Sequence, residues 1–395
     1  MEQLHTERER GFIEVAGQLA DDFAERAARH DQEASFPHEN YARLKETGYT
    51  ALIIPQELGG LGATMLERLK AQERLAMGCG ATSLAINMHF NVIGLLVDLW
   101  DKYRTPQVEE KLRAIAGQRL VVGGSGSEPD NAIMLMKPRT LARRVDGGWI
   151  VNGRKIFGTQ SIATDFFFFE ATWPEGPRGE TVITCFVSPR ETPGLVFKDD
   201  WNTMGMRATE SRSSELKDAF VPDSAVVLQR RAGRLTGRVL RMYMRAPFTI
   251  GAPYIGIAAA ARDFVVQFMR DRPRHPYKLP MSYLPSVYNK VGEMDLLLEG
   301  ARAVMWKAAA ECDADHPASW SRKAAAARMI AMENTVRVVD LALRAVGGSS
   351  YFKRLPLERY YRDIRAALYH PPDSDETLEF LGKTAFGLPE TDDYS

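Results

Sequence analysis

The sequence predicts an α+β protein of three segments, helical, strand-rich and helical again. Three observations predict it. Apolar residues recur at helical spacing up to about residue 117. Between Gly123 and Pro222 they fall instead into short β-branched and aromatic runs bounded by Gly, Pro or Asp. From Thr236 onwards long helical patterns return. With 395 residues, 45% of them hydrophobic, the chain has the material for two or three cores. The changes of period divide it into 1–117, 118–230 and 231–395.

The first helix is expected over 6–30, where Phe12, Val15, Ala16, Leu19, Phe23 and Ala27 share one face. Shorter helical patterns follow at 38–47, 64–78, 83–103 and 106–116. Pro106 suits a first helical turn, because its missing amide hydrogen is unpaired there anyway. The turn Leu58-Gly59-Gly60-Leu61-Gly62 follows no strand in a βαβ setting, so it is not a dinucleotide fingerprint. The apolar stretch 83–100 is interrupted by Asn87, His89, Asn91 and Asp98, which suits a buried helix rather than a membrane span. Strands are expected at 149–153, 165–171, 181–188, 194–198 and 213–220. Phe166 to Phe169 are too apolar for a solvated face and predict a strand covered on both sides. Helices at 237–271, 282–313, 319–347, 357–369 and 375–385, joined by short loops, suggest an antiparallel bundle.

Charge is balanced, 51 basic against 51 acidic residues, so no global field argues for nucleic acid or an anionic membrane. Cys79, Cys185 and Cys312 are too few and too scattered for a disulfide framework or a thiolate metal site. The N-terminus has no apolar signal core. These features predict a soluble cytoplasmic protein with reduced thiols. Arg234, Arg238, Arg241 and Arg245 recur at helical intervals and form one basic stripe. Such a stripe can meet the phosphates of a nucleotide, or pair with acids on a solvated or intersubunit face.

Several phrases occur in a set order over some 300 residues: Leu58-Gly59-Gly60-Leu61-Gly62, Ser127-Glu128-Pro129, Asn152-Gly153 to Thr159, Met204-Gly205-Met206-Arg207, Gly347-Gly348 and Arg359-Tyr360-Tyr361-Arg362-Asp363. In that order and spacing the chain resembles the acyl-CoA dehydrogenase superfamily. The resemblance implies an N-terminal α-helical domain, a middle antiparallel β-domain and a C-terminal four-helix bundle. It also implies FAD at their junction and a homotetramer or homodimer. By the same resemblance Gly126 and Ser127 face the pyrimidine side of the flavin, Phe157 packs against the ring, and Thr159 lies near N5. Arg272 reaches the diphosphate of the adjacent subunit's cofactor. Arg344, Gly347, Gly348 and Asp375 complete the cofactor contacts, and no metal is implied.

The implied reaction is α,β-oxidation of an acyl-CoA or related thioester, with hydride passing to flavin N5. An electron-transfer flavoprotein or a flavin reductase is the implied partner. The α-proton needs a carboxylate base. The family's usual Glu position is Pro371 here, and the minority position is Ala246. Ile133 stands where the family has a phosphate-loop Ser. Asp373, Asp375 or Glu376 can supply the carboxylate, with Asp373 the candidate base. Asp373-Ser374-Asp375-Glu376 also resembles a helix-capping pattern. His370 or His89 can act as a base or orienting group, or be satisfied core residues. Relatives that use reduced flavin and oxygen as two-component monooxygenases often lack the Glu, and they form the alternative.

Overall fold

The computed structural model describes residues 5–233, 237–276, 278–314 and 320–388. The N-terminal segment folds into α1 (Glu7–Glu33), α2 (His38–Glu46), α3 (Met65–Gly78), α4 (Gly80–Tyr103) and α5 (Pro106–Gln118). Thr6 and Glu9 start α1 as a reciprocal cap, Oγ1 accepting from Glu9 N at 3.2 Å and the carboxylate from Thr6 N at 2.8 Å. Thr64 and Glu67 repeat the device at α3. Among the described residues α4 alone is long and apolar enough to cross a membrane, and it is mostly buried inside the protein.

The middle segment is one sheet of β1 (Val122–Ser125), β2 (Leu141–Val145), β3 (Gly148–Gly158), β4 (Phe166–Trp173), β5 (Val182–Pro189), β6 (Leu195–Phe197), β7 (Arg212–Pro222) and β8 (Val226–Arg231). Its order is β6-β7-β3-β2-β4-β5-β8, with β1 beside β4. β1 runs parallel to β4 from Val122 opposite Phe166 to Ser125 opposite Phe169, and β2 meets the same strand at Thr172. The other pairings are antiparallel. The strand 166–169 is covered on both faces, as expected. Phe167 and Phe169 are fully buried among Trp149, Val151, Leu216 and Ala219, whereas Phe166 and Phe168 pack on the α4–α5 core around Ile93, Leu96 and Leu112.

The C-terminal segment holds α6 (Gly237–Thr249), α7 (Gly251–Arg270), α8 (Pro285–Ala314), α9 (Trp320–Val346), α10 (Leu357–Ile364) and α11 (Ser374–Phe386). The single helix expected over 237–271 is two, because Pro247 removes a backbone donor and the chain breaks at Ile250. Phe248, Tyr254, Met305, Trp320 and Val338 lie in the core where these helices meet α3 and α4. Of the basic stripe, Arg245 pairs with Asp98 of α4. Arg234 and the side chains of Arg238 and Arg241 lie outside what the structure describes.

Candidate active site

The site begins where β3 leaves the sheet. Register between β3 and β7 slips between Lys155 and Gly158, so the strand bulges there. Phe157 takes up the bulge with φ of +58°, a left-handed backbone that an aromatic residue seldom adopts and that costs about 1–3 kcal/mol. The bulge aims the ring outward: Phe157 is 58% exposed, with its edge toward Trp201, centroids 6.2 Å apart. Thr159 Oγ1 accepts from Ser211 Oγ at 2.9 Å. Gln160, also left-handed and fully buried, anchors the turn through its N–H to Thr209 O, its side-chain amide to Val122 O, and its carbonyl to the Tyr41 hydroxyl of α2. Ser127 lies alongside, its carbonyl accepting from Ile156 N at 3.0 Å. Gly126, Ser127, Phe157 and Thr159 therefore lie along one lip.

Beneath that lip sits a buried ion pair. Lys155 Nζ meets Glu128 Oε1 at 2.8 Å, with neither side chain exposed. Glu128 also accepts from Thr140 N, Thr140 Oγ1, Arg139 N and Asn131 Nδ2. The middle residue of Ser127-Glu128-Pro129 is thus a scaffold that pins the 126–140 loop to β3. No local pattern in the sequence announces Lys155 as its partner.

Trp201 Nε1 donates to Met206 O at 3.2 Å, and Met206 N donates to Asp363 Oδ1 of α10 at 2.6 Å. A contact path thus runs from Phe157 into the bundle. Gly205 lets the two segments touch, since a Cβ there would lie 2.2 Å from Arg362 O. Arg362 forks Asp31 of α1 at 2.9 and 2.5 Å, and Arg207 donates to Asp31 O. Burial pushes the Asp363 carboxyl up to about 6, and Asp31 adds to the rise against the Met206 N–H and the arginines. Its folded pKa lies above the ordinary Asp value of 3.8, so its ionisation disfavours the fold as pH rises through 6. Asp363→Asn, which keeps the acceptor for Met206, is expected to gain about 2–3 kcal/mol on wild type at pH 8 and nothing at pH 4. Urea unfolding at the two pH values checks this, and an equal difference at both would refute it.

After α10 comes the loop from His370 to Asp373. Arg328 of α9, 3% exposed, clamps it by donating to His370 O at 2.6 Å and to Pro372 O. His370 Nε2 pairs with the Tyr254 hydroxyl of α7 at 2.7 Å. Burial, with the Arg328 charge beside it, pulls the imidazole down to about 4, so His370 is neutral at physiological pH. Pro371 is exposed and offers no carboxylate. Asp373 is the N-cap of α11: its carboxylate accepts from Glu376 N at 2.9 Å, and Glu376 returns the bond to Asp373 N at 2.9 Å. Both carboxylates serve the helix amides, and Asp375 is exposed in the same first turn. Asp373, the candidate base, is therefore found in the capping arrangement. His89 is a satisfied core residue, Nδ1 accepting from Val122 N at 2.9 Å and Nε2 donating to Thr50 O at 2.7 Å.

The remaining candidates gather where α7 and α9 end. Arg272 lies over the Phe268 ring and donates through Nη2 to Ser349 Oγ at 3.0 Å. Its Nη1 is buried without a partner among the described residues. Gly347, at φ +71°, and Gly348 are exposed, and a Cβ on either would meet nothing within 4 Å. Arg344 is exposed one turn earlier. A spare guanidinium N–H beside open glycine backbone suits phosphate oxygens, and an outward aromatic beside a hydroxyl suits a flavin ring. These residues fit a flavin.

Comparison with known proteins agrees. Residues 6–100 match the acyl-CoA dehydrogenase N-terminal domain, 124–219 the middle domain and 240–369 the C-terminal domain. The putative acyl-CoA dehydrogenase YdbM of Bacillus subtilis (strain 168) is 34% identical over 97% of this chain and 98% of its own length. The structure of a nitrososynthase from Micromonospora carbonacea var. africana superposes with a TM-score of 0.85 at 26% identity, covering 97% of this chain and 98% of that one. KijD3 in complex with FMN and a dTDP-amino-keto sugar superposes with a TM-score of 0.87 at 25% identity, over 99% of this chain and 96% of the other. The chain belongs to the acyl-CoA dehydrogenase family and is a flavin-dependent oxidoreductase of that fold.

Proposed function

We propose that the protein is the oxygenase component of a two-component flavin monooxygenase, acting on a small-molecule substrate with reduced flavin delivered by a separate reductase. One observation carries the proposal: neither family base position holds a carboxylate, and Asp373, the candidate base, is bonded with Glu376 as a helix cap, each to the other's backbone. Oxidation of a thioester at its α,β bond starts with loss of the α-proton and needs that base. Oxygen insertion does not. The similarity to a nitrososynthase supports the same reading.

Reduced flavin, when bound, supplies the two electrons that let O2 give one oxygen atom to substrate and the other to water. The chain's residues do the rest. Phe157 and Trp201, in edge contact, would supply an apolar wall to keep water from a bound flavin. Thr159, accepting from Ser211, keeps its own hydroxyl hydrogen and would be able to donate it to a bound flavin. His370, neutral and oriented by Tyr254, would be the imidazole able to hold or pass a proton.

Dehydrogenation of an acyl thioester is the second reading, favoured by the 34% identity to a putative acyl-CoA dehydrogenase. It requires Asp373 to leave its cap. Anaerobic mixing separates the two. The oxygenase reading expects no flavin bleaching with an acyl-CoA panel, tight binding of chemically reduced FMN or FAD, and oxygen uptake once air is admitted. Bleaching of bound flavin by any acyl-CoA would overturn it.

A further inference from the structure

Arg68 of α3 is 5% exposed and points into the junction of α3, α4 and α6. Its Nη2, with two hydrogens to give, lies within hydrogen-bond distance of Asn87 Oδ1 at 2.8 Å, Asn87 O at 3.1 Å, Asn91 Oδ1 at 2.6 Å and Thr249 Oγ1 at 3.1 Å. All four acceptors are neutral, and no carboxylate among the described residues pairs with Arg68. Arg245, a like charge, also acts on Arg68 and has its own partner in Asp98. Burial pulls the guanidinium down to about 9; Tyr49 opposes the fall and Arg245 adds to it. A buried cation without a counter-charge is among the least favourable arrangements a fold can hold.

Two hydrogen-bond donors at the same place are also unspent. Arg68 Nε and Asn87 Nδ2 are sealed from solvent and have no acceptor among the described residues. Asn87 is fully buried. Unspent donors beside an unbalanced positive charge ask for an anion. The location relates this spot to the reacting centre. Thr249 Oγ1 donates to Ala246 O at 3.1 Å, and Asn91 Nδ2 reaches the same carbonyl at 3.5 Å. Ala246 is the position at which some family members carry their base.

We propose that the substrate bears a carboxylate or an oxyanion of similar size, and that Arg68 and Asn87 form the subsite that receives it. The anionic group fixes the substrate from beyond Ala246 and leaves the opposite end of the molecule to the flavin side. Arg68 acts here as a specificity residue and takes no part in oxygen chemistry. The inference rests on the oxygenase reading only for which substrate enters; a thioester carrying a free acid meets the same subsite.

Thermal unfolding of the full-length protein with oxidised FMN tests it, using sodium hexanoate and sodium benzoate as probes against hexanamide and benzamide at matched ionic strength. The carboxylates are expected to raise Tm in a saturable way and the amides are not. Arg68→Gln is expected to weaken the apparent carboxylate affinity at least about tenfold. Asn87→Asp, which supplies the missing counter-charge from within, is expected to raise Tm and abolish the carboxylate effect. Equal shifts from acids and amides, no acid shift at all, or an undiminished shift in Arg68→Gln would each overturn the proposal. Should Arg68→Gln fail to fold, an undiminished shift in Asn87→Asp overturns it as firmly. No turnover is measured, so failure here leaves the oxygenase reading standing, and oxygen uptake without acid binding identifies this inference as the one at fault.

Discussion

Replacing Glu128 by Ala is expected to cost the protein about 3–5 kcal/mol of folding stability. The carboxylate is buried and takes five donors, two from Thr140 and one each from Arg139, Asn131 and Lys155. Removing it strands the Lys155 ammonium, which is 0% exposed, with no other anion among the described residues bonded to it. The loop amides at Arg139 and Thr140 lose their acceptor in the same stroke. Burial alone would raise the Glu128 carboxyl, but Lys155 and the hydroxyl and amide donors hold it down to about 2. Its folded pKa lies below its ordinary value of 4.5, so the stabilisation is full above pH 4.5 and is lost as pH falls toward 2. Urea unfolding should therefore show the deficit of Glu128→Ala shrinking between pH 6 and pH 3. Glu128→Gln keeps the shape but not the charge and is expected to lie between. The double change Glu128→Ala, Lys155→Met is expected to recover part of the loss, because it removes the stranded charge. A single Ala variant within 1 kcal/mol of wild type would show that the pair contributes little. Flavin affinity should fall with stability, since the Glu128 loop carries the Ser127 carbonyl that holds Ile156 beside Phe157.

What the sequence reveals of this architecture follows from how far each signal reaches along the chain. The helices of the first segment announce themselves through periodic apolar residues and through capping boxes at Thr6 and Thr64, both local patterns. The strands rich in Phe, Val and Ile are equally legible. β1, β2 and β8 escape notice for separate reasons. β1 is Val-Gly-Gly-Ser and gains strand geometry only by lying along β4. β2 buries only Ala142 among its five residues, so its arginines obscure the alternation. β8 ends in polar residues, of which Arg230 alone is buried, against β5 and Tyr243 of α6. The break between α6 and α7 has a local signal in Pro247, but the apolar helical pattern continues past it and masks the break.

The site shows the same division. The phrases that hold Ser127, Phe157, Thr159 and Gly347 are visible as motifs, and the acids after Pro372 are visible as a cap. The left-handed turn at Phe157 is invisible, because it exists only through mismatch with β7, more than fifty residues later. Arg328 reads as one basic residue in a helix, and only the fold brings it to a loop 42 residues downstream. Arg68 likewise looks solvated in sequence, and its missing counter-charge appears only when α4 and α6 close over it.

Replacing His370 by Gln is expected to lower product formation by at least about 10²-fold while leaving flavin binding and Tm nearly unchanged. The two halves of that expectation come from different atoms. The loop is held by its backbone: Arg328 donates to the carbonyls of His370 and Pro372, and neither bond involves the imidazole. Gln can still partner the Tyr254 hydroxyl, which is buried and would otherwise be left unsatisfied. What Gln cannot do is take up and return a proton. His370 is a titratable side chain next to Pro371 that, unlike Asp373 and Glu376, is not committed to the helix cap. Because burial and Arg328 pull its pKa to about 4, wild-type turnover should show no inflection from this residue between pH 6 and pH 8 and should fall below pH 5. His370→Ala separates chemistry from packing, since it strands the Tyr254 hydroxyl and is expected to lose about 1–3 kcal/mol of stability in addition to activity. Steady-state oxygen uptake coupled to product analysis, with Tm on the same samples, tests the pair. Full turnover in His370→Gln would remove the imidazole from the chemistry and leave its hydrogen bond to Tyr254 as its whole role.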